Sequence, residues 1–134
     1  MRLFGSKSKT PEDTQRTIVL DSRYVKAWDT GGALVASIVS EKYTERESQV
    51  IQNELADVAA GRGNRVAVDM SQVAFLASAG VGSLVTLHKT LIGAGGRLVL
   101  FGIDEEVLAM LKIAQLHRLL TIVDDESAAL AKIE

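Results

Sequence analysis

The chain has no cysteine among its 134 residues. Disulfides and thiol chemistry are therefore excluded, and the commonest zinc ligands are missing. Aromatic residues make up only 4% of the sequence, so a core must be built from Val, Leu, Ile and Ala. No run of about 18 apolar residues is present, which excludes a helical membrane span. The N-terminus, MRLFGSKSKTPEDTQRT, has no continuous apolar stretch and does not read as a secretory signal. There is no excess of one charge either. The net charge is −2 and the basic residues are scattered, which argues against nucleic acid as the main partner. A cytoplasmic protein is expected.

What is present is a globular composition, 47% hydrophobic, at a length that suits one domain with one core. Residues 1–17 are polar, mixed in charge and hold the single proline, Pro11. They read as a mobile tail, with a folded domain over 18–134. Ile18 to Asp29 contains strand-like pieces, with Tyr24, Val25 and Trp28 as expected buried members. Thr30-Gly31-Gly32 is a turn signal, and Ala33 to Val39 reads as the second strand of a hairpin.

The period changes after Ser40. Val50, Ile51, Leu55 and Val58 recur at helical spacing, with Glu45, Arg46, Glu47, Gln49, Gln52 and Glu54 facing out. Gly61-Arg62-Gly63-Asn64 stops that helix. Val66 to Val68 is a buried strand ending in Asp69, followed by a loop over 70–77 and a helix from about Ser78. That helix places Val81, Leu84, Val85, Leu91 and Ile92 on one side. Gly93 to Gly96 ends it. Arg97 to Ile103 is a short apolar strand. Asp104 caps a helix with Val107, Met110, Leu111 and Ala114 inward. Leu119 to Val123 is a last strand, and Asp124-Asp125 caps a helix from Glu126 to about Ile133. The order predicts an α/β domain with right-handed crossovers. One mixed sheet of four to five strands is expected, packed by about four helices mainly on one face.

Ser78 stands where a helix starts, beside two glycines, on an otherwise apolar element. Three readings of it are open. A plain helix cap is one. A hydrolase nucleophile elbow is another, but it needs Gly-x-Ser-x-Gly, and Leu76 stands at the first of those positions. Asp104 and His117 would have to supply the acid and base. A modification or interface site is the third. Gly80-Val81-Gly82-Ser83-Leu84-Val85 lacks the third glycine of a dinucleotide loop, and no phosphate-loop lysine motif is present. His88 and His117 have no partners at metal-ligand spacing, and no metal site is expected. His88 is expected to be partly buried and hydrogen-bonded, and His117 exposed.

The run from Asp69 to Gly82, DMSQVAFLASAGVG, resembles the signature loop of STAS domains, and more narrowly that of bacterial anti-sigma factor antagonists. GGRLVL at 95–100 and VLAMLKIAQLHRLLTI at 107–122 follow in the same order. The resemblance covers about 20–132. It implies a binding module rather than an enzyme, with no cofactor of its own. Its partner would be an anti-sigma factor that is also a serine kinase and binds the ATP. Phosphorylation of the loop serine would end the complex, and a serine phosphatase would reset it. By position that serine is Ser78. Asp69 and Ser71 match the strand-end Asp-x-Ser, and Ala77, Ala79, Gly80 and Gly82 complete the expected partner-binding loop. Gly80 and Gly82 would leave room for an approaching chain. Two positions depart from the pattern. Ala77 replaces an acidic residue, and Ala79 replaces a serine or threonine, which leaves Ser78 as the one hydroxyl there. The resemblance also allows an unphosphorylated scaffold, or a subunit of a larger signalling or transporter assembly. A monomer or weak dimer is expected.

Overall fold

The computed structural model describes residues 17–133. Among them eight strands and four α-helices follow in order, with a short 3-10 turn at Leu116–Arg118. They are β1 (Thr17–Asp21), β2 (Val25–Asp29), β3 (Leu34–Ile38), β4 (Lys42–Tyr43), α1 (Glu45–Ala60), β5 (Arg65–Asp69), β6 (Phe75–Leu76), α2 (Ser78–Gly93), β7 (Arg97–Phe101), α3 (Glu105–Ile113), β8 (Thr121–Val123) and α4 (Glu126–Ile133). The expected tail over 1–17 lies outside the described residues, except that Thr17 already opens β1.

The main sheet has six strands in the order β1-β2-β3-β5-β7-β8, one or two more than expected. The extra strand comes from the segment before Asp29, which folds as its own antiparallel hairpin. Its reversal at Ser22 has no glycine, proline or asparagine to announce it. A serine side chain does that work: Val25 N–H donates to Ser22 Oγ at 3.2 Å, and Ser22 N–H donates to the Val25 carbonyl at 2.8 Å. β2 and β3 are antiparallel, whereas β3, β5, β7 and β8 are parallel.

Successive crossovers run in one direction across the sheet, and a constant hand puts their helices on one face. That face holds the larger core. Leu34, Ala36 and Ile38, Val66 and Val68, Leu98 and Leu100 meet Ile51 and Leu55 of α1, Leu84, Leu87 and Leu91 of α2, and Val107 and Leu111 of α3. The alternate residues Val35, Ala67, Val99 and Phe101 point the other way and are covered by Ala129 and Ile133 of α4. Helices thus pack mainly on one face, and β3 is buried along its whole length.

Several side chains sit differently from the expectation. Val50 and Ile92 are exposed, and Ala114 is exposed at the end of α3. Leu87 takes an inward position that the periodicity had not assigned. Trp28 and Tyr24 are only half-buried: Trp28 lies on the face of α4, which covers β5 and β7 rather than the outer strands, and Tyr24 packs at the margin of the larger core. Glu47 is buried rather than outward. It caps its own helix: the Thr44 hydroxyl and N–H donate to Glu47 Oε1 at 2.7 and 2.8 Å. Those bonds hold the Glu47 carboxyl below the usual range. At the end of α1, Gly61 has φ −88, and the left-handed residues are Gly63 and Asn64.

Candidate functional site

The site is built at the edge where the parallel strands end. Asp69 closes β5 and turns the chain with its side chain. Asp69 Oδ1 accepts Ser71 N–H at 2.9 Å, and Oδ2 accepts the Ser37 hydroxyl at 3.1 Å. Both oxygens are engaged within the protein, so Asp69 shapes the loop. Ser71 itself is exposed. Gly102, with φ +69, comes within 3.1 Å of Asp69 Oδ1 at its Cβ position, so the strand β7 exit is fitted against this turn. Nothing in the sequence reading marked Gly102.

The rest of the loop is pinned to the segment before α1. The Glu41 carbonyl accepts both Ala74 N–H and Phe75 N–H, at 2.8 and 3.0 Å. β6 then pairs with β4 in a short parallel ladder. With successive side chains alternating, Leu76 goes into the core and Phe75 is left 58% exposed. Phe75 is the site residue that the sequence reading missed. It stood in the quoted signature, but only the unexpected β6 decides which way it points.

Tyr43 anchors the helix that follows. Its carbonyl accepts Ala77 N–H at 3.1 Å. Its hydroxyl lies 3.0 Å from Ser83 Oγ, which donates to the Ser48 carbonyl at 3.1 Å. Ser83 has one proton, already given to Ser48, so Tyr43 is the donor to Ser83. The ring is buried, and burial pushes the phenol up to about 12. These contacts set the starts of α1 and α2 side by side.

Ser78 is the first residue of α2 and is exposed. It is not the cap. Ala77 is the cap residue, extended at φ −89 and ψ 171, and it has no side-chain acceptor to offer. The first helical bond is Val81 N–H to the Ala77 carbonyl, at 3.0 Å. The N–H groups of Ser78, Ala79 and Gly80 find no acceptor among the described residues. No acidic residue lies in this first turn. The helix start therefore carries uncompensated positive potential beside an exposed hydroxyl.

The remaining loop positions divide. Ala77 and Ala79 are half-buried, and Gly82 is exposed with open space around it. Gly80 is buried, which corrects the expectation that it clears space for a partner. An added Cβ there would strike the Tyr43 carbonyl oxygen and come within 2.7 Å of Leu76 Cδ1. The chain that needs the room is its own.

The hydrolase reading loses its base. Ser78 lies at the edge where β5 ends, whereas His117 lies before β8, at the opposite edge. His88 is ten residues along α2, about 15 Å of helix away. Its Nδ1 is buried with no hydrogen-bond partner among the described residues, contrary to the expected bond. Among those residues no cluster of His, Asp or Glu is arranged to hold a metal ion, and no helix is long and apolar enough to cross a membrane.

Against this geometry the comparison with known families is decisive. The model of the STAS domain matches residues 30–129. The chain belongs to the STAS domain family. No curated protein sequence matches it. Solved structures share the fold at low identity. An anti-sigma-factor antagonist (STAS) domain protein from Planctomyces limnophilus superposes with a TM-score of 0.72 at 18% identity, covering 81% of this chain and 97% of that one. The Bacillus cell-fate determinant SpoIIAA, in its phosphorylated form, gives 0.58 at 15% identity, over 89% and 99%. The murine anion transporter Slc26a9 gives 0.66 at 17% identity, over 76% of this STAS chain but only 18% of the transporter.

Proposed function

We propose that this STAS protein is a cytoplasmic binding module switched by phosphorylation of Ser78. In this reading it binds an anti-sigma factor that is also a serine kinase, and so frees a sigma factor for transcription. The kinase transfers phosphate from its own ATP to Ser78, the complex separates, and a serine phosphatase restores the binding form. The observation that carries the reading is the exposed hydroxyl at the first position of α2, beside three unpaired N–H groups and the exposed Phe75 ring.

The physics supports a switch that acts on the partner. Phosphate adds about −1.5 to −2 charges at neutral pH. At a helix start it meets N–H groups and a favourable dipole, so the carrier tolerates it without refolding. A partner packed over Phe75 and Ser78 would instead have to bury that charge. Leaving a charge unpaired in an interface costs several kcal/mol, and about 1.4 kcal/mol is tenfold in affinity. One phosphate therefore suffices to turn binding into release. The family resemblance of the loop and the existence of a phosphorylated SpoIIAA structure are in keeping with this.

A scaffold role without phosphorylation is the competing reading, favoured by the alanines at 77 and 79. Titration of the purified protein with serine-kinase anti-sigma factors from the same cells separates the two. A switch binds one of them tightly as Ser78 and at least about tenfold more weakly as Ser78→Glu. Equal binding by both forms contradicts the switch.

A further inference from the structure

We propose that copies of this protein associate head to tail through the two ends of α3. The helix crosses from the edge where β7 ends to the edge where β8 begins, so its ends face opposite sides of the domain. Those ends carry opposite charge.

The acidic end is built from two adjacent loops. Asp104, Glu105 and Glu106 follow β7, and Asp124 and Asp125 follow β8, all exposed. Gly102 N–H donates to the Asp124 carbonyl at 3.3 Å, which holds the loops together. From Leu98 to Leu111 no lysine or arginine dilutes this charge.

The other end is basic and apolar. From Val107 to Val123 there is no acidic residue. Lys112 and Arg118 are exposed, and neither forms an ion pair among the described residues. Next to them in the chain, Ile113 is 85% exposed and Leu119 42% exposed. The core contacts of this segment are already made by Leu111, Leu116 and Leu120. Gln115, at φ +60, turns the chain so that those leucines point in and Ile113 stays out. Among the described residues nothing covers Ile113.

A second copy supplies the matching surface, because its acidic end is complementary to this basic one. The contact would be heterologous, the same two unlike patches meeting at every junction, and such contacts extend or close into rings. Lys112 and Arg118 steer it, and Ile113 and Leu119 provide the apolar area that excludes water.

Sedimentation of the full chain over a concentration series tests this, at roughly 0.01 M and 1 M salt, where the Debye length is about 30 and 3 Å. The expected result is an average mass that rises with concentration at low salt, with association about tenfold weaker at high salt. Ile113→Ser spoils only the basic end, and Glu105→Lys only the acidic end. Each alone should weaken self-association about tenfold, while a mixture of the two should form a one-to-one pair that does not extend. A single-chain mass at every concentration in low salt overturns the proposal. So does association that both variants retain.

Discussion

The Tyr43 carbonyl accepts the N–H of Ala77, the cap residue of the helix that carries Ser78, at 3.1 Å. That bond joins the segment entering α1 to the segment entering α2. The hydroxyl of the same tyrosine repeats the connection one turn deeper, through Ser83 to the Ser48 carbonyl. Ser78 is thus displayed from a start that is held on both backbone and side chain, although the serine itself makes no side-chain bond among the described residues.

The two nearby glycines should respond in opposite ways. Gly80→Ala places a methyl against the Tyr43 carbonyl, with Tyr43 Cδ1 at 2.8 Å, and should destabilise the protein by about 1–3 kcal/mol. Gly82→Ala meets nothing within 4 Å on an exposed helical surface. It should stabilise by about 0.5–1 kcal/mol. Urea midpoints of the two variants give the comparison, and equal shifts of one sign would show that Gly80 is not packed as described.

The buried phenol makes an alkaline prediction. Tyr43 is neutral in the folded protein up to about 12, whereas a free tyrosine ionises near 10.0. Its stabilising contribution is therefore complete below pH 10 and is lost as pH rises towards 12. The slope approaches about 1.4 kcal/mol per pH unit. Tyr43→Phe should flatten this part of the profile in denaturant unfolding measured from pH 9 to 12. Ser83→Ala should cost more at neutral pH than Tyr43→Phe, since it strands the buried phenol donor and removes the second bond to the Ser48 carbonyl, at about 1–3 kcal/mol.

Restoring an acceptor at the helix start should strengthen the fold. Ala77 already has the extended geometry of a cap residue. Ala77→Asp offers a carboxylate to the open N–H groups, and should add about 0.5–2 kcal/mol in thermal or urea unfolding. No change would mean that those N–H groups are satisfied elsewhere.

Phe75→Ser separates binding from folding. The ring is mostly in solvent, so stability should move by less than about 0.5 kcal/mol. Binding to the kinase partner should weaken by about tenfold or more, as for an aromatic anchor in an interface. Unchanged affinity would place the contact face away from β6.

The unit from β5 to α2 was legible because its signals agree. A continuous apolar strand ending in Asp69, a short loop and a helical stripe follow one another, and the signature loop names the family. The β1–β2 hairpin was not legible, because its turn has no glycine, proline or asparagine and is closed by the weaker signal of the Ser22 side chain. Glu47 read as outward by periodicity, and local capping drew it in. Phe75 and Gly80 were misjudged for one reason. Both depend on the two-residue ladder between β4 and β6, whose pairing joins residues more than thirty positions apart. No local pattern announces such a pairing, yet it decides that Phe75 faces out and that Tyr43 closes over Gly80.

The central claim is that Ser78 carries a phosphate in the cell. Intact-mass and peptide mass spectrometry of the protein isolated from its own cells, beside a Ser78→Ala strain, tests it directly. The account predicts one added phosphate that maps to Ser78 and disappears in the variant. A protein that stays unphosphorylated through growth and stress, or a phosphate that persists in Ser78→Ala, would contradict it.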